Sequence, residues 1–303
     1  MEDVYDVIII GAGPAGMTAA VYASRAGLKT AILEKAAPGG KMVETFEIEN
    51  YPGFSSVNGA DLAGMMFEHA TRFGAEYLYG DVKTIRDLGA YKEVVTGEET
   101  FKTRAVIIAT GTVERKLSIP GESEFAGRGV SYCAVCDGAF FRDKTVTVIG
   151  GGNSALGGAL YLTKFATKVN VVIRRDVFRA TKTVQDDVYA NPKIHVIVHA
   201  VPVEIRGTDA VKSIVLKNVE TGELTEVETD AVFPYIGADP MTSFTDELPL
   251  EKDHGYIVTN DRMETGVPGV YAAGDVRKKD LRQVVTATND GAIAAEEAGK
   301  YLA

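Results

Sequence analysis

The chain has 303 residues, 46% apolar and 24% charged. That composition excludes a disordered or collagen-like chain and predicts two domains, at roughly 100–200 residues each. Its net charge of −10, from 32 basic and 42 acidic residues with no basic tract, argues against nucleic acid or an anionic membrane as a partner. The two cysteines, Cys133 and Cys136, are too few to staple the whole chain, so any chemistry they share is local.

Residues 7–24 carry no charge, but Gly11, Gly13, Pro14 and Gly16 interrupt them and acidic Glu2, Asp3 and Asp6 precede them. A secretory leader needs a basic start, and a spanning helix does not normally carry a Gly/Pro break. The expectation is a soluble, cytoplasmic protein without a membrane partner. The stretch reads instead as a strand (6–10), a turn, a helix (17–26) closed by Gly27, and a second strand (29–34). Residues 46–58 read as a loop, 60–73 as a helix and 104–109 as a strand. The opening design then returns. Residues 145–149 read as a strand, 150–155 as a turn, 156–165 as a helix and 168–173 as a strand. Residues 194–199 have a β pattern, and 200–236 read as a β-ribbon turning at 220–223. A strand at 270–273 and a helix at 284–302 complete the chain. The alternation predicts an α/β fold with two Rossmann-like, dinucleotide-binding domains.

Gly11-Ala-Gly-Pro-Ala-Gly16 fits G-x-G-x-x-G between strand and helix. Gly11 permits the tight turn, Gly13 lets a pyrophosphate approach, and Gly16 lets the helix pack on the strand. Glu34 ends the second strand, where a carboxylate suits ribose hydroxyls. Gly150, Gly152 and Ala155 fit the G-x-G-x-x-A variant, with Asn153 and Ser154 inside it. Its second strand ends in Arg174 and Arg175, with Arg179 close behind. A carboxylate there would repel a 2′-phosphate, whereas arginine pairs with it. The first turn therefore suits FAD or NAD, the second NADPH. FAD in the first and NADPH in the second is the economical reading, because nicotinamide delivers a hydride and flavin can pass an electron pair to sulfur.

Cys133-Ala-Val-Cys136 has the spacing of a reversible disulfide. Asp137 follows and can exchange a proton during sulfur chemistry. The four histidines, His69, His195, His199 and His254, form no paired ligand motif, so no metal is expected.

Taken together these residues resemble the low-molecular-weight bacterial thioredoxin reductases, over nearly the whole chain. The shared motifs include both glycine turns, Pro38-Gly-Gly40, Glu49-Asn-Tyr-Pro-Gly53, Ala109-Thr-Gly111, Cys133-Ala-Val-Cys-Asp137, Arg174-Arg-Asp-Val-Phe-Arg179, Gly274-Asp275 and Arg282-Gln-Val284. The resemblance implies a homodimer, and a discontinuous FAD domain (1–115 and 246–303) around an inserted NADPH domain (116–245) that rotates. It implies that Gly11, Gly13, Pro14, Ala15, Gly16, Glu34, Gly39, Gly40, Asn50, Val82, Ala109, Thr110, Gly111, Asp275, Arg282, Gln283 and Val284 line FAD. It places NADPH on Gly150, Gly152, Asn153, Ser154, Ala155, Arg174, Arg175 and Arg179. Electrons would pass from NADPH through FAD to the Cys133–Cys136 disulfide and on to thioredoxin or a thioredoxin-like protein, with Asp137 as proton donor.

Five positions depart from the family pattern. Ile173 stands where His is usual, Gly157 and Gly158 replace two glutamates, Lys41 replaces a glutamine, and Asn289 sits near a usual glycine. The departures at 157, 158 and 173 motivate an alternative in which NADH or ferredoxin feeds the same disulfide. A flavin-binding redox sensor is a reading of a different class.

Overall fold

The computed structural model describes residues 4–45 and 48–303. It divides into two compact units, residues 1–113 with 239–303 and residues 114–238. The sequence expectation had set these crossings at 115 and 245.

The first unit is built on strand β1 (Val4–Ile10), whose Val7, Ile8 and Ile9 are fully buried. Helix α1 (Pro14–Arg25) follows the glycine turn and leads into β2 (Thr30–Glu34), parallel to β1. Helix α2 (Gly59–Arg72) starts at Asn58, whose side chain accepts the Ala60 and Asp61 amides, an N-cap that satisfies otherwise orphaned donors. Strand β3 (Glu76–Tyr79) adds parallel to β2. Strands β4 (Val82–Asp87), β5 (Lys92–Thr96) and β6 (Thr100–Ile108) then fold as an antiparallel meander. The long β6 also pairs parallel with β1, and its last residues pair parallel with strand Val270–Ala272.

Successive side chains of a strand point to opposite faces. Val7 and Ile9 therefore enter the core under α1 and the C-terminal helix Val284–Leu302, while Ile8 and Ile10 join Ile85, Val94 and Leu248 on the other face. A strand buried on both faces needs a near-continuous apolar run, which explains the legibility of residues 7–10.

The second unit repeats the design. Its parallel sheet has the order Ile194–Ile197, Lys168–Val172, Thr145–Ile149, Ala231–Pro234. Helix Asn153–Leu162 covers one face through Leu156, Ala159 and Leu162. The other face packs under an antiparallel ribbon of Ala200–Gly207, Val211–Asn218 and Leu224–Glu228.

Several expected boundaries move. Both motif helices begin inside their glycine turns, at Pro14 and Asn153, because Gly13 and Gly152 are the N-caps. The second helix ends at Leu162, not at residue 165. The segment 200–236 is not all ribbon. Ala231–Pro234 is buried along its whole length and returns to the parallel sheet beside Thr145–Ile149. His199 lies past the end of its strand with φ of 52°. Within the expected loop 46–58, Ile48 and Val57 form an antiparallel bridge, and Phe46 and Glu47 lie outside the described residues. Among the described residues, no helix is long and apolar enough to cross a membrane.

Candidate active site and nucleotide turns

In the first unit the glycine turn is held by the strand ends around it. Gly11 has φ of 107°, and a Cβ there would lie 2.5 Å from the Ala109 carbonyl. A Cβ on Gly16 would lie 1.8 Å from the Gly11 carbonyl, whereas one on Gly13 would meet nothing within 4 Å. Two glycines thus let backbones touch, and the third leaves open space at the start of α1. Gly13 gives that helix no side-chain cap, so its first amides and its dipole remain for an anion.

Glu34 is wired to this turn. One carboxylate oxygen accepts the Ala12 amide at 2.9 Å, and the other accepts Lys35 and Ala36 at 2.8 and 2.9 Å. Three backbone donors fix the carboxylate in orientation, which suits it to hold ribose hydroxyls.

The structure brings Gly39, Gly40, Ala109, Thr110 and the segment carrying Asp275 to this turn, and it places the other expected FAD residues elsewhere in the same unit. Gly39 donates to the Ala12 carbonyl at 2.7 Å, and a Cβ on Gly40 would lie 3.4 Å from Gly13. Ala109 donates to Ile10 at 2.8 Å. Thr110 donates to the Met241 carbonyl at 2.7 Å, and Gly111 accepts the Met241 amide. A Cβ on Gly274 would lie 2.9 Å from that of Ala15, which sets the Gly274–Val276 turn carrying Asp275 against α1. Arg282 lies over the Tyr256 ring and donates to the Asp275 carbonyl. Gln283 caps the helix that begins at Val284 and accepts Asn50 Nδ2 at 3.0 Å, although the two are far apart in sequence. Val82 opens β4 and packs with the core on the other sheet face.

Sequence reasoning missed one charged group here. Buried Asp290 binds Arg277 at 3.1 Å, Lys279 at 2.8 Å and the Gly274 amide at 3.1 Å. It braces the turn that carries Asp275, and no spacing rule in the sequence announces it.

The second unit has the same turn with another charge. Gly150 has φ of 139°, and a Cβ there would lie 2.3 Å from the Tyr235 carbonyl. A Cβ on Gly152 would meet nothing within 4 Å, and helix Asn153–Leu162 again lacks a side-chain cap. The Asn153 side chain accepts the Thr181 amide at 2.8 Å. Ser154 lies exposed in the first turn, and Ala155 is buried beneath it. Arg179 donates its amide to Gly151 at 2.7 Å, which folds its segment back onto the turn. Arg174, Arg175 and Arg179 are exposed, and their side chains have no hydrogen bond or ion pair to any described residue. Three unclaimed guanidiniums beside an open helix start suit a phosphorylated ribose.

Ile173 is buried, and a Cβ on Gly151 would lie 3.0 Å from it. At this position the side chain underpins the turn and is part of the core.

Cys133 and Cys136 form a disulfide in the second unit, with Cα atoms 5.3 Å apart. Cys133 is the N-cap of the short helix Ala134–Asp137 and Cys136 lies within it, and both are half-buried. The amides of this helix start are satisfied locally. Cys133 donates to Ser131 Oγ at 3.1 Å, Ala134 to Tyr235 Oη at 2.7 Å, and Cys136 to Cys133 Sγ at 3.1 Å. Ser131 also donates to Asp137 at 2.5 Å. Burial pushes the Asp137 carboxyl above its ordinary range, and the Ser131 hydrogen bond pulls partly back. A raised carboxyl is a better proton donor near neutral pH. Upstream, buried Glu122 accepts the Leu117 and Ser118 amides and Tyr132 Oη, which secures the approach to Cys133. Ser131, Tyr235 and Glu122 carry no motif, so sequence reasoning missed them.

A disulfide beside a carboxyl raised by burial, on the same unit as one of two dinucleotide turns, has a counterpart in known proteins. Residues 5–291 match the family described as pyridine nucleotide-disulphide oxidoreductase. The chain belongs to this family. Among its members, the thioredoxin reductase of Bacillus subtilis is 52% identical, over 99% of this chain and 96% of that protein. The crystal structure of thioredoxin reductase from Streptococcus pyogenes matches with a TM-score of 0.95 at 49% identity, covering 100% of this chain and 99% of that one. A ferredoxin-flavin thioredoxin reductase from Clostridium acetobutylicum matches at 32% identity with a TM-score of 0.54, covering 99% and 98%. The family pairs a pyridine nucleotide with a flavin and a redox disulfide, and its members here run the length of this chain. FAD and NADPH are the cofactors of this chain, and the open helix starts at Gly13 and Gly152 fit two dinucleotides.

Proposed function

We propose that this chain is an NADPH-dependent thioredoxin reductase. The observation that carries the reading is the Cys133–Cys136 disulfide beside Asp137, within a chain that matches thioredoxin reductases along its full length. When bound, NADPH and FAD would together supply an electron pair to the disulfide. The chain's own residues do the rest. The S–S bond of Cys133 and Cys136 breaks, and two protons complete the dithiol. Asp137, whose carboxyl burial raises above its ordinary range, supplies one of them. As a thiolate, one cysteine attacks the disulfide of thioredoxin and forms a mixed disulfide, and a thioredoxin sulfur leaves and takes up a proton. The other cysteine then attacks the mixed bond. This restores Cys133–Cys136 and releases thioredoxin as a dithiol.

Glu34 and the turn Gly11–Gly16, with Gly39, Gly40, Asn50, Val82, Ala109, Thr110, Gly111, Asp275, Arg282, Gln283 and Val284, would hold FAD. Gly150, Gly152, Asn153, Ser154 and Ala155 would take the NADPH pyrophosphate. Arg174, Arg175 and Arg179 would take its 2′-phosphate.

The protein works as a cytoplasmic homodimer. The family resemblance supports this. Sedimentation would return a single mass near twice 32.4 kDa.

The departures at Ile173, Gly157 and Gly158 raise a second reading in which another donor feeds the disulfide, although Ile173 lies in the core beneath the turn. The three unclaimed arginines weigh against it. Steady-state assay with thioredoxin tests the main reading. NADPH should support turnover, and Cys136→Ser should abolish it. Turnover with reduced ferredoxin but not with NADPH would establish the second reading.

A further inference from the structure

Tyr235 follows strand Ala231–Pro234 and touches three parts of the second unit. Its amide donates to Ile149 at 2.8 Å, and its carbonyl closes against Gly150, so its backbone is pinned to the base of the nucleotide turn. Its ring lies against helix Asn153–Leu162 at Gly158. A Cβ there would be 3.0 Å from the ring and 3.2 Å from Oη. Its Oη accepts the Ala134 amide at 2.7 Å, one residue past Cys133. The glycine at 158 is therefore the space the ring occupies. Gly157 opens onto nothing within 4 Å, and nothing in the structure explains it.

We propose that Tyr235 is a positioning residue whose hydroxyl stabilises the disulfide form of Cys133–Cys136 over the dithiol. This inference rests on the reading above that the pair is the redox centre. Ala134 is fully buried, so without Oη its amide would have no water to turn to, and an unsatisfied buried donor is costly. That cost falls on the disulfide form. Cys133 Sγ already accepts the Cys136 amide at this helix start. In the dithiol form, as a thiolate on the residue preceding Ala134, it becomes a stronger acceptor that can take the Ala134 amide as well, since thiolates are stabilised by helix-start amides. Losing the hydroxyl therefore penalises one redox state more than the other. Gly158 belongs to the same device, because it gives the ring its seat.

The test equilibrates the FAD-loaded protein with mixtures of reduced and oxidised glutathione and traps the thiols by alkylation for mass spectrometry. The reaction balances as protein disulfide plus two glutathione thiols giving protein dithiol plus glutathione disulfide. Tyr235→Phe keeps the ring packed and removes only Oη. It should shift the equilibrium constant about tenfold toward the dithiol, equivalent to about 30 mV for this two-electron couple. Gly158→Ala, which crowds the ring, should shift it the same way. The double variant should shift it no further than Tyr235→Phe alone, because both act through one hydrogen bond. A constant within twofold of wild type for Tyr235→Phe would overturn the proposal, even with a lowered Tm, since packing alone does not distinguish the two redox states. NADPH-driven reduction of thioredoxin by the wild-type protein is measured in parallel. Its absence would remove the redox reading itself, independently of the glutathione result.

Discussion

The two units carry the same backbone turn and opposite charge beside it. In the first, Glu34 is consumed in structure, with three backbone amides holding its carboxylate at a set angle to the turn. In the second, the side chains of Arg174, Arg175 and Arg179 bind no described residue and stand exposed. The difference follows from what each group would bind on the proposed assignment. Ribose hydroxyls are weak, directional donors, so the acceptor must be oriented beforehand and must not be a free, competing anion. A 2′-phosphate is a strong, compact anion, and long cationic side chains can close on it after it arrives. One unit is preorganised for a resident cofactor, and the other keeps its charges free for a ligand that comes and goes.

The most damaging change to this arrangement lies downstream of both turns in the electron path. Cys136→Ser should abolish thioredoxin turnover while leaving bleaching of the flavin by NADPH intact, and anaerobic absorbance spectra separate the two steps. The next contrast uses the glycines. Gly11→Ala and Gly150→Ala each place a Cβ on a backbone carbonyl at a positive φ, a strain of about 1–3 kcal/mol before any steric shift. Gly11→Ala should lower the flavin content of purified protein. Gly150→Ala should leave flavin content unchanged and raise the NADPH KM. Single replacement of Arg174, Arg175 or Arg179 by Ala should raise the NADPH KM about tenfold, the size of one lost charge-assisted hydrogen bond, without affecting the NADH KM.

Ser131→Ala sharpens the account of the proton donor. The Ser131 hydroxyl donates to the ionised Asp137 carboxylate and so lowers its pKa, against burial that raises it. Removing that donor should move the pKa further up. The alkaline limb of the disulfide-reduction rate, where Asp137 loses its proton, should shift to higher pH. A downward shift in the pH–rate profile would contradict this sign. The smallest effect is expected at Ile173. Because the side chain is core, Ile173→Val should cost about 0.5–1.5 kcal/mol of stability and leave the NADPH KM unchanged.

Much of this was legible in the sequence where chemistry is local. The glycine turns, Glu34, the arginines and the cysteine pair each lie within one strand–turn–helix span, and period and spacing expose them. The segment 231–234 was not legible as a parallel strand, because four apolar residues after a ribbon look the same whether they extend the ribbon or return to the sheet. Tyr235 and Ser131 were hidden for another reason. Tyr235 meets Ala134 only because the sheet brings distant chain segments together. Ser131 acts through a single hydroxyl that no pattern marks. Asp290 was hidden likewise. It reads as one more charge on the exposed side of a helix until folding turns it inward onto Arg277 and Lys279. Ile173 shows the reverse case, in which a departure from the family pattern reads as a changed nucleotide site but lies in the core beneath the turn.

The claim at the centre is that the second unit reads the 2′-phosphate. Anaerobic rapid mixing of the FAD-loaded protein with NADPH, and separately with NADH, tests it by the rate of flavin bleaching at low micromolar donor. The account predicts fast bleaching by NADPH and at least tenfold slower bleaching by NADH, with the gap closing when Arg174, Arg175 and Arg179 are replaced together. Equal rates for the two donors in the wild-type protein, or bleaching by neither, would contradict it.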